Sequence, residues 1–178
     1  ELGIPPTARV AGVGIGGLGH MALKFCRAWG CEVTAFTTSA SKEEEARAFG
    51  AHHVVTTGDA AALQALAGHF DLIIDTVNVP LDWNGLLAAL APKGKLHVVG
   101  AVLEPIAVPA FSLIMGQKSL SGSPTGSRGA LDSMLGFAAR HGVAPMTEHF
   151  PMRRVNDALD HLRAGKARYR IVLDADFG

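Results

Sequence analysis

Six consecutive residues could hold a phosphate. Gly14-Ile15-Gly16-Gly17-Leu18-Gly19 follows the apolar run Val10-Ala11-Gly12-Val13 and leads into His20-Met21-Ala22-Leu23. The spacing is G-x-G-x-x-G, with Gly14, Gly16 and Gly19 at the defining positions. In such a turn the first glycine permits the sharp exit from a strand, the second lets backbone approach a pyrophosphate, and the third lets the helix pack on the sheet. The helix that follows offers unpaired N–H groups and the positive end of its dipole to an anion. No Lys-Ser or Lys-Thr pair succeeds the glycines, which excludes the phosphate loop of the NTPases. A strand before the motif and a helix after it are the context that gives a glycine triplet meaning, and together they point to a dinucleotide.

A second group of residues bears on which dinucleotide. A site for NAD wants an acid at the end of the second strand, about 20 residues past the glycines, to accept from the ribose 2′-hydroxyl. Here the strand candidate Glu32-Val33-Thr34-Ala35-Phe36 runs into Thr37-Thr38-Ser39-Ala40-Ser41-Lys42, and no carboxylate appears before Glu43. Thr37, Thr38, Ser39 and Lys42 are hydrogen-bond donors, suited to a 2′-phosphate and not to a bare hydroxyl. The reading is NADP(H) over NAD. Part of the stretch also has local work to do, since Ser41 before Glu43, Glu44 and Glu45 reads as a helix N-cap.

Other chemistry-bearing residues form no pattern. Cys26 and Cys31 fit no zinc spacing and read as buried structural cysteines. His52-His53 reads as a surface pair in a loop, and His20 as a positioning or phosphate-facing residue beside the glycines. His69, His97, His141, His149 and His161 are scattered. Trp29 and Trp83 read as packing residues, with Phe111 the remaining candidate for an aromatic pocket. No catalytic residue and no metal ligand is assigned.

Short apolar runs alternating with helical segments must position these groups. Strands are expected at 9–13, 32–36, 53–56, 70–75, 95–99 and 119–122, and helices at 17–29, 42–49, 60–67, 81–90 and 129–141. Several strands are apolar on both faces, as buried parallel strands are. The alternation predicts an α/β fold, a Rossmann-type doubly wound parallel sheet. Asp59 reads as an N-cap, Gly30 and Gly50 as residues that close helices, and Pro92-Lys93-Gly94-Lys95 as a turn into a strand. After Pro145 the chain predicts a β-α-β tail: an extended stretch at 149–152, a helix at 155–164 ending near Gly165 and a strand at 169–174. The expected division is a dinucleotide domain at 1–144 and a separate segment at 145–178.

Composition sets limits on partners. The 178 residues are 48% hydrophobic, enough for a packed core, and 16 Lys+Arg balance 16 Asp+Glu. That balance argues against nucleic acid, and no apolar run is long enough to span a membrane. A cytoplasmic protein is expected. With the first strand beginning within ten residues of Glu1 and no initiator Met, the chain reads as a stand-alone domain or as a piece of a longer one.

The run of motifs resembles the zinc-dependent medium-chain alcohol dehydrogenases, within them the cinnamyl alcohol dehydrogenase group. The residues that carry the resemblance begin with Gly14 through Ala22 and Val33 through Ser39. They continue with Lys42 through Ala46, Asp71 through Val77, Gly94-Lys95-Leu96, Gly122-Ser123 and Lys166 through Asp174. The resemblance implies that Gly14, Gly16, Gly17, Leu18 and Gly19 lie under the pyrophosphate and that Thr37, Thr38, Ser39 and Lys42 hold the 2′-phosphate. It implies that Thr76 and Val77 line the path from adenosine to nicotinamide, and that Val99, Gly100, Ser121, Gly122 and Ser123 sit by the nicotinamide. Arg170, with Arg168 as the alternative, would reach the pyrophosphate. It also implies an alcohol or aldehyde substrate, a tail folded on a catalytic domain and a possible homodimer paired near Ser119. The family's zinc ligands have no counterpart here, so zinc would belong to a catalytic domain outside this sequence and this chain alone would be inactive. Two rivals share the glycine turn: a zinc-free quinone or enone reductase and a non-catalytic NAD(P)-sensing module. A methyltransferase would want an acid after the second strand, which Thr37 through Lys42 does not supply.

Overall fold

Val10, Ala11, Val13, Val33, Ala35, Phe36, Phe70, Leu72 and Ile73 are all buried, and strands with both faces covered become the centre of a layered sheet. In the computed structural model, which describes residues 2–57 and 60–176, they do so. The strands are β1 (Arg9–Val13), β2 (Glu32–Thr37), β3 (His53–Thr56), β4 (Phe70–Asp75), β5 (Leu90–Val98) and β6 (Ser119–Gly122). They form one six-stranded sheet in the order β3-β2-β1-β4-β5-β6, every pair parallel. This is the doubly wound order, which reverses between β1 and β4; ligands of such sheets bind beyond the strand ends at that reversal.

Helices connect the strands: α1 (Gly19–Trp29), α2 (Glu43–Ala48), α3 (Ala60–Gln64), α4 (Trp83–Ala89), α5 (Ala110–Ile114) and α6 (Arg128–His141). Gly30 and Gly50 take the positive φ expected of them, 108° and 104°. Asp82 caps α4 by accepting from the Gly85 N–H at 2.9 Å, so that helix begins later than the expected 81. The core brings Phe36, Phe70, Ile73 and Leu96 of the sheet against Trp83, Leu86 and Leu87 of α4.

Three expectations are corrected. Ser41 does not cap α2: a 3-10 turn over Ala40–Lys42 precedes that helix, and the Ser41 hydroxyl lies 2.7 Å from that of Ser39. The Pro92-Lys93-Gly94 turn is a bulge inside β5, which starts at Leu90 because Leu90 and Ala91 are themselves buried. There Lys93 takes φ 64° and the register against β4 shifts between Phe70 and Leu72. Helix α5 was not expected; its five residues are too few to show a helical period. The Asp59 cap lies outside the described residues.

The chain divides into two compact units, Glu1–Val143 and Ala144–Gly178. In the second, β7 (Thr147–Pro151), α7 (Val155–Arg163) and β8 (Arg170–Asp174) form a β-α-β unit whose two strands pair in parallel. Among the described residues no helix is long and apolar enough to cross a membrane.

Candidate functional site

The glycine turn sits where β1 ends and α1 begins, at the sheet's point of reversal. Gly14 leaves β1 with φ 87°, and its N–H donates to the Phe36 carbonyl at 2.9 Å. A Cβ there would stand 2.4 Å from Val77 Cγ1. A Cβ on Gly19 would stand 2.0 Å from the Gly14 carbonyl oxygen. These two glycines are needed by the chain itself. Gly16 differs: it is exposed, and a Cβ there would meet nothing within 4 Å. Its missing side chain leaves open space above the turn.

Buried residues anchor the turn. Ile15 is buried. His20, fully buried, lies with Nδ1 3.0 Å from the Gly16 carbonyl oxygen and its ring 5.4 Å from that of Phe49. Its role is therefore positional. Gly17 is half-buried and Leu18 exposed. Leu18 is the N-cap of α1 and makes no side-chain capping bond, which leaves the first-turn N–H groups without a side-chain acceptor from that position.

A Lys42 contact joins the donor stretch after β2 to the turn. Lys42 Nζ donates to the Ile15 carbonyl at 3.1 Å, which sets the ammonium beside the glycines. Thr38 is exposed and Ser39 half-buried. Thr37 is buried, and its hydroxyl accepts from the Ser39 N–H at 3.2 Å, so it shapes the loop.

The ends of β4, β5 and β6 extend the same edge. Thr76 donates its hydroxyl to the Val13 carbonyl at 2.7 Å, and Val77 packs on Gly14. The N–H groups of Val99 and Gly100 donate to the Asp75 carbonyl at 2.9 and 3.2 Å. A Cβ on Gly100 would collide with the Val77 backbone. Ser121, Gly122 and Ser123 are exposed, and the two serine hydroxyls lie 2.9 Å from Nδ1 and Nε2 of His97. Burial holds the His97 pKa below the usual histidine range. A neutral imidazole donates from one nitrogen and accepts at the other, so the two hydroxyls play opposite parts. Arg170 belongs to the second unit, where it pairs with Thr147 across β7 and β8.

Sequence reasoning passed over two features of this edge. Asp75 is buried, and burial raises its pKa. The signal was a lone carboxylate ending the apolar run Leu72-Ile73-Ile74. His97 was set aside as scattered because its serines are 24 and 26 residues away, joined only by the β5–β6 register.

Among the described residues, no three or more His, Cys, Asp or Glu side chains are grouped so as to hold a metal ion. Burial pushes the Cys26 thiol up to about 12, with Cys31 adding to the effect. Cys31 is raised by burial and by the charge of Asp71. His52 accepts from the Val33 N–H, and His53 pairs with Glu32 at 3.0 Å. Trp83 is buried in the core, Trp29 donates to the Ile4 carbonyl at 3.0 Å, and Phe111 is exposed.

Residues 17–140 match the sequence model of the zinc-binding dehydrogenases. The chain belongs to that family. Among curated members, an aldehyde reductase of Synechocystis sp. is 52% identical over 173 residues, 97% of this chain and 52% of the relative. A probable formaldehyde dehydrogenase of Bacillus subtilis is 43% identical over 171 residues, 96% of this chain and 49% of the relative. The chain thus spans about half the length of the curated family members it matches. A cinnamyl alcohol dehydrogenase of Sorghum bicolor superimposes with TM-score 0.90 at 41% identity, over 96% of this chain and 48% of that one. A cinnamyl alcohol dehydrogenase of Helicobacter pylori, solved as a complex with NADP(H), gives TM-score 0.83 at 28% identity, over 97% of this chain and 49% of that one.

Proposed function

We propose that this chain is the NADP(H)-binding part of an alcohol dehydrogenase or aldehyde reductase. The open position at Gly16, between glycines that the fold itself requires, carries the reading. The Lys42 ammonium beside the turn and the complex formed by the Helicobacter pylori relative support NADP(H) in particular. Gly14, Gly16, Gly17, Leu18 and Gly19 would cradle the pyrophosphate, and Thr38, Ser39 and Lys42 the 2′-phosphate, with Thr37 holding their loop. Thr76, Val77, Val99 and Gly100 would line the path to the nicotinamide, and Ser121, Gly122 and Ser123 would flank it. The bound nicotinamide supplies or accepts the hydride.

Residues 1–144 are then the dinucleotide domain, and 145–178 a segment that belongs with a catalytic part outside this chain. The described residues hold no metal-ligand cluster. In this reading zinc, the alcohol or aldehyde pocket and turnover belong to that other part, and this chain contributes cofactor binding.

Lys42→Ala tests the donor assignment. A charge-assisted hydrogen bond is worth about 1.5–3 kcal/mol, so NADPH should bind roughly ten- to a hundredfold more weakly, with NADH little changed. The enhancement of reduced-nicotinamide fluorescence reads both. Equal losses for the two cofactors would remove Lys42 from the 2′-phosphate site.

A further inference from the structure

Asp75 ends β4 with its side chain fully buried. One carboxyl oxygen, Oδ1, accepts from the Val77 N–H at 3.1 Å. The other, Oδ2, has no hydrogen-bond partner among the described residues. A buried polar atom without a partner is costly, and natural folds keep few of them. Burial also raises the pKa of this carboxyl, so the fold has put an acid where its charge is disfavoured. The core does not need it, since strand alternation sets Asp75 on the face of Ile73, where an apolar residue would pack.

The carboxyl stands at the junction of three strand ends. Through Oδ1 it fixes Val77, the residue on which Gly14 packs. Its own carbonyl takes the N–H groups of Val99 and Gly100. Gly100 in turn lies so close to the Val77 backbone that no side chain fits between. Its neighbour Thr76 ties the same point to Val13 of β1. Strand order gives this junction a direction. Lys42 follows β2, the glycine turn follows β1, and the sheet continues through β4 to β5. A dinucleotide with its 2′-phosphate by Lys42 and its pyrophosphate on the turn must lay its remaining half over the ends of β4 and β5.

We propose that Asp75 is a positioning residue for the nicotinamide half of the cofactor, acting through the Val77–Gly100 junction. The proposal rests on the dinucleotide reading above. Asp75 touches no cofactor atom in this account; it sets the backbone on which that half lies.

Two ligands separate this role from general support of the fold. NADPH spans the whole site, whereas adenosine 2′,5′-bisphosphate fills only the part beside Lys42 and the turn. In the full 178-residue chain, Asp75→Ala should raise the Kd for NADPH roughly tenfold and leave that for adenosine 2′,5′-bisphosphate within about twofold. Asp75→Asn keeps an oxygen for the Val77 N–H and should restore NADPH binding to within about twofold of the parent. If Asp75→Ala does not fold, Asp75→Leu, close to it in shape and suited to burial, carries the same expectation. An NADPH affinity unchanged in the folded Ala or Leu variant overturns the proposal. So does an equal loss for both ligands, or a failure of Asn to restore binding. Failure of the unsubstituted chain to bind NADPH is a different result: it overturns the dinucleotide reading and this proposal with it.

Discussion

A methyl group on Gly19 would meet the Gly14 carbonyl oxygen at 2.0 Å, whereas one on Gly16 would meet nothing within 4 Å. The two substitutions should therefore part ways. Gly19→Ala forces backbone against backbone and should cost about 1–3 kcal/mol of stability, as overpacking does. Gly16→Ala should stay within about 0.5 kcal/mol of the parent, like other open-surface changes. It should still weaken NADPH at least roughly tenfold, because the methyl fills the cradle. Urea unfolding and cofactor titration on the same two variants check both statements. A Gly16→Ala protein that binds NADPH normally would mean that the space serves something else. At this scale the sequence was informative: the triplet spacing named all three glycines, and the donor stretch named Lys42. It could not say that Thr37 is buried and occupied with Ser39.

At the scale of elements, the buried central strands were legible because apolar residues fall on both of their faces, and most of the sheet's strand limits follow from that. Long-range pairing was not legible. The link from His97 to Ser121 and Ser123 exists only because β5 and β6 lie side by side in register. Asp75 owes its burial to being enclosed between β1 and β5. Both groups titrate away from their ordinary ranges, with opposite consequences for stability. For His97 the folded pKa is lowered. Its contribution is then fully present above about 6.5, the unfolded value, and is lost as pH falls. His97→Gln should flatten the loss of stability between about pH 6.5 and 5. For Asp75 the folded pKa is raised. Its contribution is fully present below about 3.9 and is lost as pH rises through the folded value. Asp75→Asn should thus gain on the parent as pH climbs from about 3.5 toward neutrality. Urea unfolding across pH reads both slopes, and a variant with the parent's slope refutes the assignment for that residue.

For the molecule as a whole, the chain holds a six-stranded parallel sheet and spans about half the length of its curated relatives. Among its described residues no three or more His, Cys, Asp or Glu side chains are grouped so as to hold a metal ion, and burial raises the thiol pKa of Cys26 and of Cys31. Cofactor binding by this chain should accordingly be indifferent to metal. Addition of zinc or of EDTA should leave the NADPH Kd within about twofold, and a larger change would place a metal site where none is assigned. The central claim concerns which cofactor the strand ends accept. Isothermal titration of the unsubstituted chain with NADPH and with NADH tests it most directly. The account requires NADPH to bind at least about tenfold more tightly, since only it carries the 2′-phosphate that Lys42 and its neighbouring hydroxyls would hold. Equal affinity, or tighter binding of NADH, would contradict it.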